Sequence, residues 1–206
     1  MTNFILGALA AAALTVAAAG VSQAETVSVE AKSVSPDHGA NYGTLTLGAT
    51  AASYYGTTAV GSLEVRQAAH NGTVVGAAAV GVTKTVPVTL YGTALKATGG
   101  VEFGDFIQPK NDVMFYGLTA GVSTPVTLPA TVGLAKPVTI SVGYRVREGL
   151  GDEHFSEQRR VSVGASYPVT DNLTLGVTYY REHAAFLTSA SANNKNVVGV
   201  SLTRKF

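Results

Sequence analysis

The chain has 206 residues, 14 Lys+Arg against 13 Asp+Glu, a formal net charge of +1 and no cysteine. That balance excludes the basic excess of a nucleic-acid binder, and the missing thiols exclude a disulfide framework or a thiolate metal centre. Charged residues are 13% of the chain, where soluble domains carry ~25%, so the composition does not describe an ordinary solvated surface.

In chain order, the first 24 residues differ from all that follows. None is charged, and Phe4 to Val21 is apolar or small almost throughout. Ser22-Gln23-Ala24 then stands directly before Glu25, the first acidic residue. A core of this kind with a small-x-small site reads as a secretory signal peptide cleaved after Ala24, although no Lys or Arg marks its front end. The competing reading is an uncleaved membrane helix, since the run approaches the ~18–20 residues needed to span. Its alanines make a weak anchor, so residues 1–24 are expected to be removed and 25–206 to form one domain.

Beyond Glu25 the hydrophobic signal has a period of two, broken by turn chemistry. It predicts ten strands, at 26–34, 43–54, 61–70, 73–83, 88–98, 112–123, 138–148, 159–167, 173–181 and 196–206. The segments before residue 61 are the least defined, and eight is the alternative count. The clearest is VTISVGYRVRE: Val138, Ile140, Val142, Tyr144 and Val146 share one face, and Thr139, Ser141, Gly143, Arg145 and Arg147 the other. Small residues such as Gly143, Gly164, Gly176 and Gly199 recur opposite the valines and leucines, as a crowded interior requires. All seven prolines fall outside the predicted strands, as residues that cannot donate to a ladder should. The tripeptide PVT recurs at 87–89, 125–127, 137–139 and 168–170, which suits a meander of hairpins.

The predicted strands are 9 to 12 residues long. Strands of soluble proteins average ~5–6, whereas a tilted strand crossing a bilayer needs ~9–11. Short turns at TKTVP (83–87) and PVTDN (168–172) alternate with longer polar loops at 99–111, 149–158 and 182–195. Short turns on one side and long loops on the other are the pattern of an outer-membrane barrel. The connection at 124–137 is long for a turn, and AHNGT at 69–73 is short for a loop.

The terminal stretch VVGVSLTRKF, with Phe206 last and Leu202, Val200 and Val198 on its face, resembles the closing strand of the small Gram-negative outer-membrane β-barrel proteins. That class includes OmpX and the membrane domain of OmpA, and the turn in YPVTDNLTLGVTYY (167–180) has the same look. The resemblance covers the last ~75 residues well and the rest through pattern alone. It implies an all-β, antiparallel, up-and-down transmembrane barrel in the outer membrane, with both termini periplasmic. It also implies that Phe206, Leu202, Val200 and Val198 form an address read by the barrel-assembly machinery. Arg204 departs from the family pattern, because it takes an outward position where an apolar residue is usual. Near the interface a lipid-facing charge costs only ~0–1 kcal/mol, and its guanidinium can reach the headgroups.

A barrel also follows from the backbone. In hydrocarbon every unpaired N–H or C=O costs several kcal/mol, so strands survive only in a sheet that closes. A secreted β-sandwich would show the same alternation, with shorter strands and more charge. In a barrel the aromatics Tyr167 and Phe206 are expected at the inner boundary and Tyr179 at the outer one. Glu64, Arg66, Arg145, Arg147 and Arg160 are expected to project into the lumen, with Lys205 at its lower end. These charges read as an interior network filling a narrow barrel, with Glu64 pairing an arginine. The alternative is a narrow porin-like conduit lined by basic groups.

Three stretches offer candidate catalytic pairings. Asp37-His38, Asp152-Glu153-His154 with Glu157, and Glu182-His183 each place carboxylate beside imidazole. Adjacent residues of a strand point to opposite faces, however, and no nucleophile, zinc or phosphate-loop motif accompanies them. No enzymatic activity, metal or cofactor is therefore expected; a rim-located barrel enzyme is the remote alternative. The expected role is structural or surface-exposed, with outer-membrane lipid around the wall. Loops 99–111, 149–158 and 182–195 would be available to an external partner, and none is expected to bind nucleic acid.

Overall fold

Ten strands follow one another along the chain, joined by turns and loops. The structure, a computed structural model, describes residues 24–37, 41–51, 55, 57–67, 74–107, 113–150, 157–185 and 193–206. The strands are β1 (Ala24–Pro36), β2 (Tyr42–Ala51), β3 (Thr57–Gln67), β4 (Val74–Leu90), β5 (Thr93–Ile107), β6 (Val113–Val126), β7 (Val138–Gly149), β8 (Glu157–Pro168), β9 (Leu173–Ala185) and β10 (Asn193–Lys205). Each pairs antiparallel with its neighbours in sequence, and β1 pairs with β10, so the sheet closes into a barrel. Ten strands and the up-and-down order are thus as expected. The predicted signal peptide lies outside the described residues, apart from Ala24 at the head of β1.

Closure removes every sheet edge, which lets long strands of alternating character persist. Following the registered pairs once around the barrel displaces the chain along β5 from Phe106 to beside Ala94, a shear of about twelve residues. With ordinary strand rise and spacing this shear gives a tilt of ~40° and a radius of ~10 Å. The first strand starts and the last one stops at the same rim, here termed the terminal end; the opposite rim is the distal end.

The usual burial pattern is inverted. Val80, Leu118, Val161 and Val200 on the outer wall are at least half exposed, whereas Lys32, Thr44, Arg147, Gln158 and Glu182 inside are buried. All three hydrophobic side chains of Val198, Val200 and Leu202 alternate with inward Gly199, Ser201 and Thr203, whose partners on β1 are Lys32, Glu30 and Ser28.

Several boundaries differ from expectation. β4 runs through the predicted turn at 83–87 and reverses only at Tyr91-Gly92, so β5 occupies 93–107 in place of 88–98. Tyr91 and Gly92 have φ of 47° and 77°, the left-handed pair of a two-residue type I′ hairpin. No Asn-Gly or Asp-Gly marks this turn, so proline chemistry at TKTVP outweighed it in the sequence. The proline rule also fails: Pro36, Pro87, Pro125 and Pro168 all belong to strands. Pro36 and Pro168 are strand ends. Pro87 is interior, but its position is tolerant. Counting from the hairpin, Leu90–Thr93 and Val88–Leu95 exchange the ladder bonds, so the Pro87 nitrogen faces away from β5. On that side the described pairing of β4 with β3 has already ended at Lys84.

The expected loops are correspondingly shorter. Residues 99–107 are strand, as are 149, 157–158, 182–185 and 193–195. Of the remaining positions, Leu150 is described and donates its N–H to Met114 O at 2.7 Å, while 108–111, 151–156 and 186–192 lie outside the described residues. The connection at 124–137 is reduced by the extension of β6 to Val126 and holds a single 3-10 turn at Ala130–Val132.

Candidate functional site: the charged lumen

Inward positions divide the lumen into two halves. Toward the terminal end they carry Ser, Thr and Gly: Thr119, Ser141, Gly143, Ser162, Gly164 and Thr178 are representative. The hydroxyl residues among these are partly accessible, so this half is a vestibule rather than a packed core. Toward the distal end the same faces carry charges and aromatics, and these are largely buried.

The distal half is built from ion pairs that join adjacent strands and strands two apart. Lys32 on β1 donates to Glu64 Oε2 on β3 at 2.6 Å and lies 3.4 Å from Glu30 Oε2. Thr46 on β2 also donates to Glu64, at 3.3 Å. Arg147 on β7 forks onto Glu102 on β5, with Nε to Oε1 at 2.7 Å and Nη2 to Oε2 at 3.1 Å. Arg160 on β8 donates through Nε and Nη2 to Glu182 Oε2 on β9, at 3.0 and 2.6 Å, and Lys195 on β10 approaches Glu182 Oε1 at 3.6 Å. Charge-assisted bonds of this kind are the strong ones, and bidentate forks also fix orientation.

Aromatic rings complete the packing. Arg160 lies over Tyr180 with its guanidinium carbon 3.8 Å from the ring centroid, and Arg147 lies over Phe115 at 4.4 Å. Phe115 is fully buried and stacks at a tilt on Phe106, with centroids 4.6 Å apart. Two glycines provide seats for carboxylates. A Cβ on Gly117 would lie 2.7 Å from Glu102 Oε1, and one on Gly199 would collide with Glu30 Oε1. A side chain at either position would require the facing carboxylate to shift.

The structure therefore brings Glu64, Arg145, Arg147 and Arg160 into one lumenal network. The described ion-pair partner of Glu64 is Lys32, at 2.6 Å; of the arginines expected to pair with it, Arg66 has its side chain outside the described residues. Arg66 belongs to β3 opposite Val75. Lys205 faces inward at the terminal rim, as expected. Sequence reasoning missed Glu102, Phe106, Glu182 and Lys195, because it placed all four in loops. The signal that could have found them is strand length. Continuing the alternation of VTYY through Arg181 and Glu182, and reading 99–107 as a strand, puts these side chains inward.

Glu182 and His183 do sit on opposite faces: Glu182 is buried inside, while His183 Nδ1 shares a 2.8 Å hydrogen bond with Asn194 Oδ1. His38 and the stretch 152–154 lie outside the described residues. Among the described residues no group of three or more His, Asp or Glu could hold a metal ion.

The closing strand is anchored at its end. Phe206 N donates to Glu25 O at 3.0 Å, and Lys205 N donates to Asn172 O at 2.8 Å in the β8–β9 turn. Phe206 is exposed, and the Arg204 guanidinium carbon lies 5.1 Å from the Phe206 ring centroid. Tyr179 faces outward nearer the distal rim and donates to Asn196 Oδ1 at 2.9 Å.

No protein-family model matches the chain, and no curated protein matches it. Solved structures similar to it include the beta domain of the Bordetella autotransporter BrkA, at 11% identity over 89% of this chain and 100% of that one, with a TM-score of 0.49. Another is Neisserial surface protein A, at 13% identity over 88% of this chain and 96% of that one, TM-score 0.41. A third is outer membrane phospholipase A from Escherichia coli, at 11% identity over 89% and 91%, TM-score 0.41. The likeness is one of fold.

Proposed function

We propose that the chain is a small outer-membrane β-barrel protein with a structural or surface-exposed role, and that its own side chains fill the distal half of its lumen. What supports the membrane is the outer wall. On β10 Val198, Val200 and Leu202 separate Asn196 from Arg204, and on β9 Leu175, Val177 and Tyr179 lie below Arg181. Eight residues at this tilt cover about 20 Å, close to the ~25 Å apolar band of outer-membrane barrels. The outward charges Arg204, Arg159 and Arg181 stay near the two rims, whereas Lys84 is an exception between outward Val82 and Val86 on β4. In this reading residues 1–24 are a cleaved signal peptide, and cleavage keeps Glu25, whose carbonyl accepts from Phe206. Both termini then face the periplasm, and the distal rim faces outward and is free for an external partner.

What supports a filled lumen over an open one is the Glu102–Arg147 fork together with the Lys32–Glu64 and Arg160–Glu182 pairs. These pairs hold buried charged side chains inside a barrel of ~10 Å radius, a width at which little free lumen remains. The reading assigns no catalytic step. Planar-bilayer recording of the folded protein tests it. Silence is expected; reproducible conductance steps would replace the filled barrel with the porin-like channel.

A further inference from the structure

The three lumenal arginines whose side chains are described are not equivalent. Arg160 and Arg145 stand directly opposite each other in the β7–β8 register, an arrangement that costs energy for like charges. Arg160 is compensated by Glu182 and Arg147 by its fork on Glu102. Arg145 has neither. Its Nε lies 3.8 Å from Glu102 Oε1, an atom that already accepts from Arg147, and its Nη2 is buried without a hydrogen-bond partner. The ion pairs described in the lumen join four carboxylates (Glu30, Glu64, Glu102, Glu182) to five cations (Lys32, Arg145, Arg147, Arg160, Lys195). One positive charge is left over, and by geometry it belongs to Arg145.

Position gives that excess charge access to a ligand. The Arg145 side chain is 19% exposed against 6% for Arg147, because Arg145 is one step nearer the vestibule. Its neighbours on that side are Thr119 across β6 and Gly143 two residues back on its own strand. Gly143 in turn pairs with Gly121 and Ser162. Gly121 and Gly143 keep this part of the wall low, and Ser162 Oγ sits over Gly143 and donates to its carbonyl at 3.3 Å.

We propose that Arg145 anchors an oxyanion site at the closed end of the vestibule, which takes a small phosphate-type or carboxylate anion entering from the terminal end. A guanidinium presents a planar fork that matches both ligand types, and a site walled off from bulk water strengthens the contact. The inference rests on the filled-lumen reading, since the ion-pair layer forms the roof of the site.

The test is an NMR titration of the arginine side-chain Nε–H signals. The folded barrel is held in a sugar-headgroup detergent, and inorganic phosphate is added with acetate in a parallel series. A saturable shift of Arg145, larger than those of Arg147 and Arg160, is expected from at least one ion, and the tighter binder identifies the ligand class. Arg145→Gln should weaken binding roughly tenfold or more, the loss of one charge-assisted hydrogen bond. Ser141→Phe keeps Arg145 but fills the vestibule, and should abolish the shift. A wild-type titration with no saturable response would overturn the proposal, as would unchanged affinity in either folded variant. A barrel that conducts yet still binds at Arg145 would remove the filled lumen and leave the site standing.

Discussion

Glu102 shows how much one lumenal side chain governs. Among the described residues it alone pairs with the Arg147 fork, and a Cβ on Gly117 opposite it would lie 2.7 Å from its carboxylate. Removing one partner of a buried pair strands the other charge, which typically costs ~3–5 kcal/mol. Glu102→Ala is therefore expected to lower stability by about that amount in urea unfolding of the micelle-bound barrel, with Gly117→Ala shifting it the same way by less. A Glu102→Ala change within error of wild type would remove Glu102 from the account. A second residue-scale test lies outside the wall. At the terminal end Lys136 Nζ donates to Asp171 Oδ1 at 2.8 Å, and this hydrogen bond and the lysine charge hold the Asp171 carboxyl below its ordinary 3.8. The shift is downward, so the contribution is complete above the ordinary carboxylate range and fades as pH falls through the lowered value. Both side chains are exposed, so the contribution to stability is small and the carboxyl titration is the sensitive readout. Lys136→Gln should return Asp171 to the ordinary range in an NMR titration; an unchanged curve would contradict the pairing. Lys32 was the partner of Glu64 that sequence could not supply. Which of several inward cations meets a carboxylate depends on shear, and shear is a property of the closed barrel, not of any one strand.

Strands were legible because alternation is a local signal, and β7, β8 and β10 match their predicted spans within a few residues. The β4–β5 hairpin was not. Proline excludes itself from a ladder only where its nitrogen faces a partner, and Pro87 lies where β4 has outrun β3. Its turn at Tyr91-Gly92 carries one glycine and no Asn or Asp, a weak hairpin signal. Misplacing that turn pushed Glu102 and Phe106 into an expected loop, so an error of element boundaries became an error in the site. β10 has the opposite character. Its backbone is tied at the last residue through Phe206 N to Glu25 O, and Arg204 lies over the terminal ring. In the proposed role as an assembly address, Phe206 contributes its ring as well as this bond. Deleting Phe206 is expected to reduce outer-membrane levels of the protein several-fold, read by quantitative blotting of membrane fractions. Levels equal to wild type would show that the address lies elsewhere.

At the scale of the molecule, one geometry accounts for the composition. Low charge, abundant glycine and the absence of cysteine fit a closed wall that faces lipid outside and is packed with small residues inside. The sequence alone assigned the wall and its direction of alternation. It could not divide the lumen into a hydroxyl-lined vestibule and a charged roof, because that division depends on how ten registers combine. The central claim is that the apolar face of each strand meets hydrocarbon, and it can be tested on β10. The chain has no cysteine, so single-cysteine variants label without background. Val200→Cys, Ser201→Cys, Leu202→Cys and Thr203→Cys would each carry an environment-sensitive fluorophore, in vesicles with and without brominated acyl chains. Strong quenching at 200 and 202 and little at 201 and 203 is predicted. Equal quenching along the strand, or none at any position, would contradict the membrane-spanning barrel.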